Sequence, residues 1–318
     1  MQLRAEQLDG HLAKALAGAY AIHGDEPLIA MEAADAIRGA ARKRGFAERQ
    51  VFEAGRGFDW GEFSHATQSL SLFAEKKILE VRLPSGKPGT QGGEALAAYC
   101  ERPADDLLLL VSLPRLDRAT QSAGWFSALS RVGVVIDVWP VDRPRLPAWI
   151  SARLARQRQS ASPEVLDFLA DRVEGNLLAA HQEVQKLALA APEGKLSLEA
   201  VQDAVSNVAR YDPNDAIEAL LNGDIERYVR IIEGLRAEGE APPYVLFSVS
   251  SALFALQRGE RVFNRRVQAA VESAAGRYPP KRVEQALSRA AAIDRAIKGV
   301  GPGEPWDEFL RLGLLLAG

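Results

Sequence analysis

The sequence has a single cysteine, Cys100, among 318 residues. One thiol excludes an internal disulfide and any cysteine-cluster metal site, and it fits a reducing compartment such as the cytoplasm. Histidine is almost as scarce. His11, His23, His65 and His181 show no H-E-x-x-H or other ligand spacing. No G-x-S-x-G is present, and Cys100 has no histidine placed to activate it. No apolar run approaches the roughly 18 residues of a membrane span, and Met1–Glu6 lacks the apolar core of a signal peptide. Excess positive charge is missing too. The net charge is -3 and the pI is about 5.9, which argues against a free-standing nucleic-acid binder.

Composition does supply a core. With 47% hydrophobic and 25% charged residues, the chain can build two or three ordinary domains and shows no signature of disorder. The first ~140 residues alternate strand and helix signals. Strands are expected at Ala19–His23, Val51–Phe52, Lys77–Leu83, Asp106–Ser112 and Gly133–Trp139. A helix starts at Pro27 with Leu28, Met31, Ala34, Ile37 and Ala41 on one face, and another near Asp59 with Phe63, Ala66 and Leu70. This pattern predicts an α/β domain with a mainly parallel sheet. Residues 84–93 read as a loop. Beyond Pro140 no strand is expected. Helices are placed at Arg145–Gln157, Pro163–Arg172, Leu177–Ala190 and Leu198–Val208, with Asn176 and Ser197 as N-caps of the last two. A boundary falls near Val208–Tyr211. Helices then start near Pro213, Ile225, Pro243, Val262, Pro280 and Pro305, capped by Asp212 and Asp224 in the first two; the second carries Ile225, Val229, Ile232 and Leu235 as its stripe.

An α/β domain followed by helices invites a nucleotide-binding reading, but the phosphate loop is absent. After the first expected strand the chain has His23-Gly24-Asp25-Glu26-Pro27, which puts carboxylates where phosphates would sit and removes one backbone donor. Around Gly86-Lys87, Val81 stands where the first glycine is needed and Pro88 where the hydroxyl is needed. Asp105 and Asp106 precede their strand, the wrong end for a metal-holding acid. The remaining rivals to a partner-binding role are an active ATPase, a helix-turn-helix regulator and a purely structural helical scaffold.

The informative segment is Ser69-Leu70-Ser71-Leu72-Phe73, at the expected end of the second helix. Its apolar residues either finish a core face, as Leu70 would in register with Phe63 and Ala66, or form a protruding anchor. Leu72 and Phe73 suit the anchor: they are adjacent, and Ala74-Glu75-Lys76-Lys77 follows. The segment resembles the pentapeptide, usually Gln-Leu-Ser/Asp-Leu-Phe, with which bacterial proteins bind the replication sliding clamp; only Ser69 departs from it. Together with Tyr20–Leu28, Ser69–Lys77, Leu83–Gly89, Arg172–Ala180, Gln182-Glu183, Lys186-Leu187 and Val208–Asp212, it makes the whole chain resemble the delta-subunit family of bacterial DNA polymerase III.

That resemblance implies an AAA+-like α/β domain without a working ATP site (1–140), a small helical lid (141–208) and a helical collar (209–318). It implies a clamp-loader subunit that binds and opens the sliding clamp through Ser69, Leu70, Ser71, Leu72 and Phe73. The expected partners are the clamp (beta subunit), the gamma/tau and delta prime loader subunits through the collar, and primed DNA inside the assembled complex. No cofactor, metal or catalytic residue and no membrane contact is expected. Lys76 and Lys77 are candidates for steering toward an acidic clamp surface. Arg42-Lys43-Arg44, Arg258 with Arg261, Arg265-Arg266 and Lys281-Arg282 are candidates for DNA.

Overall fold

The computed structural model describes residues 1–68, 76–205, 209–262 and 264–317. The chain divides into two compact units, Met1–Val141 and Asp142–Gly318.

In the first unit the described elements run β1 (Gln2–Arg4), α1 (Leu8–Lys14), β2 (Ala19–Gly24), α2 (Pro27–Arg42), β3 (Phe46–Glu53) and α3 (Trp60–Gln68). There follow β4 (Lys76–Arg82), α4 (Gly89–Glu101), β5 (Leu107–Leu113), α5 (Arg118–Gln121), α6 (Gly124–Val132) and β6 (Val134–Val138). The six strands form one sheet in the order β1-β6-β2-β5-β4-β3, and every pairing is parallel. Strand β5 sits inside the sheet with both faces covered, which explains its uninterrupted Leu107–Val111 run. One face packs Tyr20, Ile22, Ile78, Leu108 and Ile136 against α1 and α2. The other packs Leu79, Val81, Leu109 and Val111 against α3, α4 and α6.

Met31 is exposed, and Ala33 takes its place on the buried stripe of α2, because the stripe follows Leu28, Ala34, Ile37 and Ala41 more narrowly than the spacing implied. The second strand spans Phe46–Glu53 rather than two residues; Glu48, Arg49 and Gln50 interrupt its apolar pattern, so hydrophobicity marked only its end.

Residues 84–93 are only partly loop. Helix α4 begins at Gly89, within a run poor in helix formers. Tertiary packing supports it: Leu96, Tyr99 and Cys100 are buried. Burial pushes the Cys100 thiol up to about 11, so it remains an unreactive core group.

In the second unit come α7 (Leu146–Arg156), β7 (Gln159–Ser160), α8 (Pro163–Val173), α9 (Leu177–Ala190), β8 (Gly194–Lys195) and α10 (Leu198–Ala204). Then follow α11 (Pro213–Asn222), α12 (Ile225–Ala237), α13 (Pro242–Arg258), α14 (Arg265–Ala275), α15 (Pro280–Ile297) and α16 (Pro305–Ala317). The expectation of no strand past Pro140 is overturned by β7 and β8, a two-residue parallel bridge too short to leave a periodic signal. The expected caps are in place: Asn176, Ser197 and Asp224 each accept a backbone N–H of their helix's first turn. Asp212 and Asp215 form a reciprocal capping box.

Helix α14 starts at Arg265, capped by Asn264, rather than near Val262. Helix α12 buries Tyr228 and Ile231 with Ile232 and Leu235, while Ile225 and Val229 are half-buried. The Tyr228 hydroxyl donates to the Phe309 carbonyl at 2.9 Å, and its ring lies so close to Gly313 that any side chain there would clash. Glu174 accepts from Arg227 Nη2 at 2.5 Å, and its carbonyl accepts the Arg210 N–H at 2.7 Å. These contacts join the end of α8 to α12 and the segment leading into α11.

Candidate functional site

The segment Ser69–Phe73 lies outside the described residues. The elements on either side of it are defined. Helix α3 ends at Gln68, and β4 begins at Lys76.

Helix α3 is fixed by an aromatic cluster that sequence patterning only partly indicated. Phe63 is fully buried; its ring meets Phe52 at 5.9 Å, Trp60 at 5.8 Å and Tyr99 at 6.5 Å, all edge-on. Phe58 closes the group against Phe52 and Trp60. Edge-on aromatic pairs add roughly 0.5–1.5 kcal/mol each beyond burial, so this end of the unit is well anchored. Gly92 of α4 makes the packing possible, because a Cβ there would stand 2.3 Å from the Trp60 ring. Gly92→Ala is therefore expected to cost about 1–3 kcal/mol. Urea unfolding followed by tryptophan fluorescence would measure it, and an unchanged midpoint would show that α3 and α4 can separate freely.

At the carboxyl ends of the strands, where ligands bind in open parallel sheets, the chain's own side chains occupy the turn between β2 and α2. Glu26 is the N-cap of α2, and its carboxylate accepts the Leu28 N–H at 3.3 Å. Burial raises the Glu26 carboxyl above its usual range, and the Leu28 bond partly opposes the rise. Asp25 accepts the Arg115 N–H at 3.3 Å, while the Arg115 guanidinium stacks 5.0 Å from the centre of the Trp139 ring. Gly24 presses against the Val138 carbonyl, where a Cβ would sit 1.9 Å from the oxygen. His23 lies beside Asp137, with Nε2 2.8 Å from Oδ1, and Gln2 donates to the other Asp137 oxygen at 2.7 Å. The helix end that would attract a phosphate thus holds the carboxylate of its own N-cap residue.

Glu80 on β4 is the most enclosed ionic site in this unit, at 1% exposure. It meets Arg38 at 2.9 Å, Arg49 at 2.8 Å and Arg82 at 3.0 Å. Burial disfavours its charge, but hydrogen bonding to Arg82 and the charges of Arg38 and Arg49 hold the carboxyl below the usual glutamate range.

Lys76 and Lys77 do not act as a pair. Lys76 lies on the α2 face of the sheet, its Nζ 5.4 Å from the centre of the Phe46 ring. Lys77 points to the opposite face, in register with Glu48. In the second unit, a groove of about 610 Å³ between α13 and α15 is lined by Leu246, Phe247, Phe254, Leu287 and Ile297. Phe247 is 70% exposed there. Among the described residues, no helix is long and apolar enough to cross a membrane.

The parallel sheet, with its five longer strands in the order β6-β2-β5-β4-β3, and the strand–turn–helix at Gly24–Pro27 define an open parallel α/β domain continued by helices. Residues 20–138 match the family model described as DNA polymerase III, delta subunit. The chain is 34% identical over 256 residues to the DNA polymerase III subunit delta of Escherichia coli K12, covering 80% of this chain and 75% of that one. It is 30% identical over 256 residues to the Haemophilus influenzae protein of the same name, covering 79% and 74% of the two chains. The chain belongs to the DNA polymerase III delta-subunit family. A solved structure, the Bacillus subtilis DNA clamp loader delta protein, superposes with a TM-score of 0.53 at 17% identity, covering 99% of this chain and 100% of that one, which shows a shared fold.

Proposed function

We propose that this protein is a clamp-loader subunit of a replicative DNA polymerase III holoenzyme, and that it grips the sliding clamp through Ser69, Leu70, Ser71, Leu72 and Phe73. The observation that carries the reading is the position of this pentapeptide. It directly follows a helix pinned by Trp60, Phe63 and Ala66 and ends two residues before β4 of the sheet. A grip mounted between two fixed elements can deliver binding energy to the partner as strain. Ring opening then follows if the subunit binds the opened or distorted ring more tightly than the closed one.

ATP hydrolysis is assigned to other subunits. The self-capped end of α2 supports this, since Glu26 would repel a phosphate and has no lysine beside it to compensate. No ATP binding is expected by calorimetry at millimolar nucleotide with the purified protein; a saturable isotherm would return the chain to the class of active ATPases.

The division into a lid (141–208) and a collar (209–318) is part of the same proposal. The exposed apolar groove bearing Phe247 and Phe254 supports a collar that meets the gamma/tau and delta prime subunits. Primed DNA is the substrate of the assembled complex, and the subunit works in the cytoplasm. Retention of the purified sliding clamp on immobilised protein is the direct test of the whole reading.

A further inference from the structure

Arg42-Lys43-Arg44 and Lys76 are separated by more than thirty residues in sequence, but the fold brings them to one edge of the first unit. Helix α2 ends at Arg42, with Lys43 as its C-cap, and a turn through Gly45 (φ 90°) leads into Phe46. Phe46 pairs with Lys76, the first residue of β4, in the parallel ladder. The side chain of Lys76 faces the same way, because it shares parity with Ile78, which packs in the core formed by α1 and α2, and with Glu80, which meets Arg38 of α2. Lys77, Leu79 and Val81 have the opposite parity, and the last two pack against α3 and α4. Lys14 joins the edge from a third element. It ends α1, two residues beyond Leu12, whose carbonyl accepts a bond from Arg44 Nη2 at 2.9 Å.

Lys14, Arg42, Lys43, Arg44 and Lys76 are all exposed. Among the described residues none of the five has a carboxylate within ion-pair distance, whereas Asp35 of α2 and Glu80 of β4 are taken by Arg38. The dipole of α2 accounts for cations at its own C-terminus. It does not account for Lys76, which comes from a strand, or for five like charges with no ion-paired acid among the described residues, which opposes folding slightly.

We infer that this basic ridge is a second docking surface for the protein partner gripped by Ser69–Phe73, and that it meets a carboxylate-rich rim on that partner. The inference rests on the proposed clamp-binding role and extends it to a surface. Lys76 follows Phe73 by three residues, so covalent geometry holds their Cα atoms within about 11 Å of each other. A protein seated on the pentapeptide is therefore within reach of the Lys76 end of the ridge. Proximity of that kind favours a protein partner over nucleic acid, as does a net charge of -3 for the chain as a whole. Exposed rim charges act mainly on encounter, so the ridge raises the association rate more than it slows dissociation.

The test uses the full-length protein and the purified sliding clamp in surface plasmon resonance at about 50 mM and about 500 mM salt, where screening lengths differ severalfold. Arg42→Glu/Lys43→Glu/Lys76→Glu is expected to lower the association rate about tenfold or more at low salt and little at high salt, with dissociation changed less than about twofold. Lys43→Gln/Lys76→Gln should give a smaller loss in the same direction, and its melting curve checks the fold. An unchanged association rate and salt dependence in both variants, while Leu72→Ala/Phe73→Ala still loses the clamp, would overturn the ridge and leave the grip standing. Failure of the wild-type protein to bind the clamp would overturn both. If the triple variant in an assembled loader weakens only the binding of primed DNA, the ridge is a phosphate surface and the inference is wrong.

Discussion

Leu72→Ala/Phe73→Ala is expected to abolish detectable binding to the sliding clamp while leaving the melting temperature unchanged. Fully burying each of these side chains in a partner's pocket contributes roughly 1.5–3 kcal/mol, so losing both removes about 3–6 kcal/mol, a factor of roughly 10²–10⁴ in affinity. Micromolar binding corresponds to only about -8 kcal/mol, so no measurable complex should survive. Surface plasmon resonance against the clamp gives the affinity, and a thermal melt separates the two readings of the segment. If Leu72 and Phe73 finished a core face, truncation to alanine would cost about 2–5 kcal/mol each in stability and the melt would shift sharply. A normal melt with wild-type clamp affinity would remove the pentapeptide from the mechanism altogether.

The second large effect is expected at Glu80. Glu80→Ala leaves Arg38, Arg49 and Arg82 facing an uncompensated site, and removing one partner from a buried ionic cluster costs about 3–5 kcal/mol. The lower end is expected here because Arg49 and Arg82 are partly exposed and can hydrate. Urea unfolding should report the loss, and Glu80→Gln, which keeps the shape, should lose less. The sign with pH follows from the direction of the shift. The folded protein holds this carboxyl below its usual value. Its contribution is therefore complete above the ordinary glutamate pKa of about 4.3 and is lost as pH falls through the lower folded value. Between neutral pH and that range, Glu80 contributes a constant amount. Below it, the wild type should lose stability more steeply than Glu80→Ala. Parallel acid limbs for the two proteins would mean that Glu80 is not held as a carboxylate.

Sequence patterning captured the elements whose causes are local. Asn176, Ser197, Asp212 and Asp224 each stand one residue before a helix and cap it with their own side chains. The strands Ala19–Gly24 and Leu107–Leu113 announced themselves because two-sided burial leaves a nearly continuous apolar run, broken only by His23 and Ser112. What escaped has causes distant in sequence. Helix α4 begins with Gly89, Thr90, Gln91, Gly92 and Gly93, and one reason for a glycine at 92 is a tryptophan 32 residues earlier. Strand β1 owes its strand state to a ladder with β6, which begins about 130 residues later. The turn after β2 was legible as hostile to phosphate from Asp25 and Glu26 alone, but only the structure identifies Glu26 as the cap of α2. Lys76 and Lys77 read as equivalent until strand parity sends them to opposite faces. The pentapeptide itself was found by likeness to a known binding segment, since no periodicity or charge pattern distinguishes it from a helix end finishing a core.

Strand β4 has a mechanical consequence as well. It lies inside the sheet, bonded along its length to β3 on one side and β5 on the other, and all three run in the same direction. Its first residue is the first described residue after the pentapeptide. Backbone hydrogen bonds of a sheet run across the strands, so a pull along β4 from its Lys76 end loads both rows of bonds in shear, many at once, instead of peeling them one by one. The Glu80 cluster adds a rivet across the same joint, tying β4 to β3 through Arg49 and to α2 through Arg38. A tug delivered at Lys76 thus meets the stiffest direction that a sheet offers.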